Sequence, residues 1–189
     1  MFMVGIVIAI IVMVALVAVG LYNSLIRKKN QVINVFGAVD ALLKKRYDLI
    51  PNLVATVQQY MQFEKEVLTK VTELRARALS GQSTDDEKIA IDREISKVLR
   101  GIMVAVENYP DLKANQSFMQ LQVTLNEVEE QISAARRAYN AAVTDYNNAV
   151  EMFPTNIMAQ IMNYKLRAVF EIGPEEREPV DVQGLFKRQ

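Results

Sequence analysis

The sequence predicts an all-α protein in which an N-terminal transmembrane helix continues into an elongated antiparallel helical bundle of three long helices and one short helix. Two observations predict this fold. A charge-free apolar run occupies residues 1–26, and beyond it apolar residues recur three and four positions apart instead of alternating. We divide the chain into an anchor at 1–26, a helical bundle at 27–172 and an extended tail at 173–189.

The first predicted helix is long and apolar enough to cross a membrane. Between Phe2 and Leu21 nearly all residues are Ile, Val, Met, Ala or Leu, and about 20 residues rising about 1.5 Å each cover about 30 Å of hydrocarbon. A cleaved signal peptide is the alternative, because Ala18-Val19-Gly20 offers small residues at a suitable spacing. Such peptides begin with basic residues and have a shorter apolar run. Because no Lys or Arg precedes Arg27, we expect an uncleaved anchor.

Three basic residues, Arg27, Lys28 and Lys29, follow the apolar run directly. Flanking segments rich in Lys and Arg stay on the cytoplasmic side, so we expect a single-pass protein of the cell membrane whose bulk is cytoplasmic. These side chains are also the predicted membrane-interface residues, since each can attract anionic lipid by about 1 kcal/mol. Membrane lipid is therefore one expected partner.

The composition argues against several classes of function. The chain has 22 basic and 22 acidic residues in 189, and it contains neither His nor Cys. Balanced charge gives no field that would draw the chain onto nucleic acid. The commonest metal ligand and neutral-pH acid–base catalyst is missing, and thiolate chemistry is impossible. We therefore expect no enzyme activity, no catalytic or metal site, no cofactor and no nucleic-acid partner.

The anchor helix is expected to continue into the bundle without a break. Apolar residues keep helical spacing from Val32 to Ala78 with one shift of phase, and Pro51 is expected to bend this helix without ending it. After a short loop, Thr84 and Glu87 have the spacing of a capping box that opens the second helix.

The third helix has the clearest apolar pattern, which alternates strictly by three and four residues from 118 to 153 and is typical of a long coiled-coil seam. The fourth, shorter helix follows Pro154 and extends to Val169, and methionines are concentrated on and just before it, at Met152, Met158 and Met162. The residues predicted to form the packing or oligomer seam are Phe118, Leu121, Leu125, Val128, Ile132, Tyr139, Tyr146 and Phe153.

Two polar turns admit a metal-binding interpretation, one at Asp48 and Asn52 and one at Asp111 and Asn115. Capping of backbone groups is favoured, because metal sites made only of oxygen ligands usually gather more carboxylates.

Polar residues also occur within or beside the rows of apolar residues. Tyr139-Asn140 and Tyr146-Asn147 recur seven residues apart, which places both tyrosines on the seam, where we expect them to be buried and bonded across the bundle. Arg46 and Glu64 occupy otherwise apolar positions and either fix the helix register or mark a subunit contact.

Three segments resemble the signature of the LemA family, a group of bacterial membrane-anchored helical proteins. Residues 43–54 read Leu-Lys-Lys-Arg-Tyr-Asp-Leu-Ile-Pro-Asn-Leu-Val, residues 109–115 read Tyr-Pro-Asp-Leu-Lys-Ala-Asn, and residues 135–140 read Ala-Arg-Arg-Ala-Tyr-Asn. The resemblance implies a helical, membrane-tethered domain without established enzymatic activity. The chain departs from the pattern at Phe36-Gly37, where many relatives have Trp, and in the tail after Ile172, which matches no segment of it.

These features favour a non-enzymatic, membrane-anchored scaffold that self-associates as a homo-oligomer through its long helices and organises or remodels the membrane. The alternative is an adaptor or regulator that presents its bundle to a membrane protease or signalling protein, using the Met-bearing fourth helix and the acidic tail. Expected partners are therefore lipid, a second copy of the chain and, in the alternative, another membrane protein.

Overall fold

A computed structural model describes residues 1–60, 65–81 and 83–170, which are mostly helical and include no strand. A non-helical stretch at 164–170, which we call the return segment, follows the last helix. The helices are α1 (Phe2–Gln58), α2 (Lys65–Leu79), α3 (Asp85–Val106), α4 (Pro110–Lys113), α5 (Gln116–Glu151) and α6 (Thr155–Ile161).

The predicted continuity between the apolar run and the bundle is confirmed by α1, which is 57 residues long and unbroken. Its first sixteen residues, 2–17, are exposed, and its first buried residue is Leu25. Within the described residues it is the one helix that is long and apolar enough to span a membrane. Residues 2–17 of the apolar run therefore have no covering from the described part of the chain, whereas α1 is packed from Leu25 onward.

The first bundle helix is shorter than its apolar spacing predicted. It continues through Pro51 to Gln58, as expected, but the predicted extension to Ala78 is wrong. Arg75 of α2 donates from Nε to the carbonyl oxygen of Tyr47 at 2.8 Å, so α2 has turned back along α1. The shift of phase in the spacing of the apolar residues corresponds to this reversal, because α2 packs a different face against its neighbours.

The pairing of α1 with α5 forms the centre of the bundle. The rings of Phe36 and Tyr139 have centroids 5.5 Å apart, and Asn115, at the start of α5, donates from Nδ2 to the Tyr60 hydroxyl at 3.2 Å. Residue numbers therefore rise along α1 as they fall along α5. A small cluster of Leu25, Ala149 and Ala159 brings the end of α5 and α6 against α1, just before its basic residues.

The capping box at Thr84 and Glu87 is confirmed at the start of α3. The predicted fourth helix, in contrast, is shorter than expected, because α6 ends at Ile161 and the helix does not reach Val169. Asn163 adopts a left-handed φ of 52°. Its N–H bonds the carbonyl of residue 160 at 3.0 Å, and the next N–H bonds that of residue 159 at 2.9 Å. This is a Schellman ending, in which Asn tolerates the left-handed position and the chain leaves the helix.

Candidate functional site

The predicted membrane-interface residues lie where α1 passes from its apolar run into the bundle. Arg27 is exposed, whereas Lys28 and Lys29 are half-buried. The Nζ atom of Lys29 lies 5.2 Å from the centroid of the Tyr164 ring, which is a cation–π distance. The basic cluster is therefore attached to the return segment as well as to α1.

The asparagines of the Tyr-Asn repeat bind the backbone of the return segment. Asn140 donates from Nδ2 to the Phe170 carbonyl and accepts the Phe170 N–H at Oδ1, both at 2.8 Å. Asn147 makes the same pair of bonds with Arg167, at 3.0 and 2.9 Å. Each amide thus satisfies both backbone groups of one residue that has no helical or sheet partner.

The tyrosines of the same repeat donate to carbonyl groups of the return segment. The Tyr139 hydroxyl donates to Ala168 at 3.4 Å, and the Tyr146 hydroxyl donates to Lys165 at 3.0 Å. Burial is the main cause that raises the pKa of both tyrosines above the ordinary value, so each hydroxyl keeps its proton. We call the four side chains of the repeat the Tyr-Asn clamp.

The spacing of the clamp matches the spacing of the segment that it holds. Seven residues of α5 rise about 10.5 Å, and three residues of extended chain cover about 10 Å. The bonded residues, Arg167 and Phe170, are three apart, and so are the bonded carbonyls of Lys165 and Ala168. The repeat therefore binds the backbone of the segment at equivalent points, and its tyrosine rings also contact the side chains of Phe170, 5.3 Å between ring centroids, and Arg167.

The prediction that both tyrosines are buried and hydrogen-bonded is confirmed. Their partners lie in the return segment, which the sequence pattern had assigned to the fourth helix. The role of the asparagines was missed. The sequence signal that could have identified it is an amide recurring at seven residues beside an apolar seam.

A buried ion cluster joins three helices at Arg46 of α1. Its Nη2 donates to Asp92 of α3, and its Nη1 donates to Glu129 of α5 at 2.6 Å and to the hydroxyl of Ser96 at 3.0 Å. Arg46 and Asp92 are each only 1% exposed. Desolvation by burial lowers the pKa of Arg46, and the nearby Glu129 carboxylate opposes that shift.

Arg136 of α5 completes this cluster. It donates from Nη2 to the second carboxylate oxygen of Asp92, and its Nη1 lies 3.6 Å from Glu129. Its guanidinium also lies 5.5 Å from the Phe170 ring centroid. Two cations and two anions thus balance in a cluster that runs from the buried Arg46–Asp92 pair out to the half-exposed Glu129, and it contacts the clamped segment.

Arg46 therefore contacts helices of its own chain, in agreement with the register interpretation. Glu64, the other polar residue singled out, lies outside the described residues. Asp92 was not identified from the sequence, although its spacing of three residues from both Ile89 and Ile95, which are buried on the same face of α3, is a usable signal.

The predicted seam residues take two different positions. Seven of them are buried within this chain along α5, but Phe153 lies beyond the end of α5 and is 79% exposed. Phe153 lies outside the helix because Pro154 disfavours helical backbone at the residue before it. The buried seam residues are Phe118, Leu121, Leu125, Val128, Ile132, Tyr139 and Tyr146.

Among the four residues of the two polar turns, the clearest cap is Asn115. It caps α5, with Oδ1 accepting the Phe118 N–H at 3.0 Å. Asp48 does not cap a helix; it lies inside α1 and pairs with Lys44 at 2.7 Å. Asn52 and Asp111 are exposed. Over the described ranges, no three His, Cys, Asp or Glu side chains are grouped to hold a metal ion.

The methionines of the predicted fourth helix are divided between two environments. Met158 and Met162 are half-buried against the cluster of Leu25, Ala149 and Ala159, whereas Met152 is 62% exposed. They therefore form no continuous exposed stripe.

Comparison with known proteins places the chain among helical relatives of one family. A sequence model of the LemA family matches residues 35–183. A protein named LemA from Metamycoplasma hominis is 28% identical over 169 residues, which are 89% of this chain and 77% of that protein. The family match extends to residue 183, so the expectation that the tail after Ile172 matches no segment of the family pattern is wrong.

Two other relatives are named as magnetosome proteins. MamQ 2 from Paramagnetospirillum magneticum is 28% identical over 99 residues, and MamQ from Magnetospirillum gryphiswaldense is 24% identical over 99 residues. Each alignment covers 52% of this chain and 36% of the relative. The similarity to these proteins therefore concerns only about a third of their length.

Proposed function

The chain belongs to the LemA family, and from that premise we propose that it is a non-enzymatic scaffold, anchored in the cell membrane by α1, that self-associates and organises or shapes the membrane. Its antiparallel bundle lies on the cytoplasmic side in this proposal. The observation that carries the proposal is the unbroken course of α1 from the apolar run into the bundle.

Membrane anchoring is supported by the exposure of the apolar run. Side chains such as Ile11, Leu16 and Val17 are more than half exposed, and leaving so much apolar surface in water would cost about 25 cal/mol per Å². A bilayer removes that cost. Arg27, Lys28 and Lys29 then mark the cytoplasmic boundary.

A fixed orientation on the membrane is supported by the packing at the same boundary. Leu25 is fully buried in the cluster with Ala149 and Ala159, two residues before Arg27. Because helix and packing both continue across this point, the bundle has no flexible linker to its anchor. A tether alone would not require such a connection, whereas an ordered assembly would.

Self-association in this proposal uses surfaces other than the predicted seam. The seven seam residues along α5 are buried inside one chain, so they are not available to a second copy. The outer faces of the bundle and the exposed apolar run remain. In the apolar run, Gly5 and Ala9 are small residues four positions apart, a spacing that lets two anchor helices approach closely.

Electron microscopy of the full chain reconstituted into vesicles tests this function. We expect ordered assemblies or deformed vesicles with the native chain. A flexible Gly-Ser linker inserted between Ile26 and Arg27 should abolish the order while the protein stays in the membrane fraction. The same linker inserted after Gly81, in the loop between α2 and α3, is the matched control and should preserve it. Dispersed monomers on undeformed vesicles would contradict the scaffold.

The alternative function, an adaptor for a membrane protease or signalling protein, has lost part of its support. It depended on an exposed face bearing methionines, and Met158 and Met162 are half-buried against the cluster of Leu25, Ala149 and Ala159. Crosslinking in living cells separates the two functions. The scaffold predicts adducts of the chain with itself, and the adaptor predicts one dominant adduct with a different membrane protein.

A further inference from the structure

The corner between α5 and α6 exposes large apolar side chains that nothing in the described part of the chain covers. Four of them lie within ten residues: Met152 is 62% exposed, Phe153 79%, Ile157 53% and Ile161 73%. The opposite side of α6 is packed, because Ala159 is buried against Leu25. We call these four residues the apolar corner.

The position of the apolar corner along α1 is fixed by packing. Ala149 meets Leu25, and residue numbers rise along α5 as they fall along α1. The chain beyond Ala149 therefore points toward the apolar run and away from the bundle. At about 1.5 Å per residue, Glu151 at the end of α5 falls about 3 Å beyond the level of Leu25, and α6 packs back against Leu25 through Ala159. The corner between α5 and α6 therefore lies at the level of the apolar run.

From this placement we propose that the apolar corner is a second membrane contact, which inserts into the interfacial layer of the same bilayer that α1 crosses. A short helix with one face packed and one face apolar and exposed has the form of an interfacial helix. The alternative occupant, a protein partner, is less favoured, because the corner lies beside the exposed apolar run of α1, which the proposed function places in lipid. This inference rests only on the anchoring part of the proposed function, and not on self-association.

The charges near the corner agree with an interfacial depth. Glu151, the last residue of α5, falls near the level of Asn23, in the polar layer of head groups where a carboxylate stays hydrated. Lys29 and Lys165 lie farther into the bundle, on the aqueous side of that layer. The structure thus presents apolar side chains nearest the hydrocarbon and charged side chains farther from it, as in other interfacial elements.

Two contacts with one bilayer have a mechanical consequence. A single helix leaves the bundle free to rotate about the helix axis, whereas a second insertion point beside it removes that freedom. The face that the bundle presents to neighbouring copies, or to a partner, is then fixed relative to the membrane plane.

The chain contains no Trp, so single Trp probes can measure the depth of each position in the full chain. The probes are Phe153→Trp in the corner, Leu16→Trp in the apolar run and Val123→Trp, an exposed position of α5 about 39 Å from Ala149 along the helix axis. An Ile157→Trp variant gives an independent second probe of the corner. The proteins are reconstituted into vesicles of phosphatidylcholine and phosphatidylglycerol, with or without bromine on the acyl chains.

Brominated lipid should quench the Leu16→Trp and corner variants by about half or more, and should leave the Val123→Trp variant nearly unchanged, since only contact with acyl chains quenches. Quenching of Leu16→Trp without quenching of either corner probe would refute the apolar corner and leave the anchor intact. Absence of quenching at all positions would refute the anchor and the function built on it. Quenching at Val123→Trp as well would show the whole bundle lying on the membrane and would also refute the proposal.

Discussion

Arg46 on α1 and Asp92 on α3 form an ion pair that is closed to water, with each side chain 1% exposed. Breaking one side of such a pair is costlier than the pair itself is stabilising, because a buried charge is left without its partner. The fold should therefore be destabilised strongly when one charge of this pair is removed and its partner is kept.

Arg46→Ala should lower the free energy of unfolding by about 3–5 kcal/mol, because Asp92 would keep only Arg136 as a cationic partner. Denaturant unfolding in detergent, followed by circular dichroism, measures the loss. Lys44→Ala is the matched control, since it removes an exposed pair with Asp48 and should cost less than about 1 kcal/mol. Equal losses in the two variants would show that burial of the cluster has been overestimated.

Replacing both charges should recover most of that stability. The double variant Arg46→Met/Asp92→Leu leaves neither of the two buried charges behind, although Glu129 and Arg136 still pair with each other. We expect it to unfold at a higher denaturant concentration than Arg46→Ala alone. A double variant less stable than the single one would mean that the pair itself is strongly stabilising.

Asn140→Leu should release the return segment, because it removes both hydrogen bonds to Phe170. The expected loss is about 1–3 kcal/mol, and trypsin should cleave faster after Arg167, as identified by mass spectrometry of the fragments. Asn148→Leu changes the same residue type at an exposed position of the same helix and should leave cleavage at Arg167 unchanged. If both variants are cleaved equally fast, the clamp does not hold the segment.

Tyr47→Phe and Tyr146→Phe should change stability in opposite directions. The Tyr47 hydroxyl is buried without a hydrogen-bond partner among the described residues, so its removal should stabilise the protein by up to about 1 kcal/mol. The Tyr146 hydroxyl donates to Lys165, and its loss should destabilise by about 1 kcal/mol. Thermal unfolding of the two variants side by side checks the signs, and a destabilised Tyr47→Phe variant would contradict the unpaired hydroxyl.

Stability should fall at alkaline pH through Tyr47. Desolvation raises its pKa to about 12, whereas the unfolded side chain ionises near 10. Between these values the unfolded state binds fewer protons than the folded state, so stability is full below about pH 10 and falls as pH rises toward 12. Unfolding curves across this range measure the fall. Tyr47→Phe should make it shallower, and an unchanged slope would exclude Tyr47 as its source.

Features set by local interactions were predicted correctly from the sequence. The apolar course of α1 and the capping box at Thr84 and Glu87 depend on residues a few positions apart. Arg46 was singled out because it interrupts an apolar row. In each case the determining residues are close together in the sequence.

Features set by tertiary contacts were missed. The return segment contains Leu166 and Val169 at helical spacing, and this pattern predicted a longer helix. Asn140 and Asn147 give the backbone of the return segment hydrogen bonds that a helix would otherwise have given it. The helical preference of its sequence is therefore overridden. The reversal of α2 was missed for the same reason, because its packing against α1 depends on residues such as Arg75 and Tyr47, 28 positions apart.

The unbroken α1 also acts as a lever. Its bundle part, residues 27–58, is about 48 Å long at about 1.5 Å per residue. Transmembrane helices tilt by about 20° on average to match the thickness of the bilayer, and a tilt of that size moves Gln58 sideways by about 16 Å. With α1 anchored as proposed, a change in bilayer thickness would thus become a displacement of Gln58, far larger than the change that caused it.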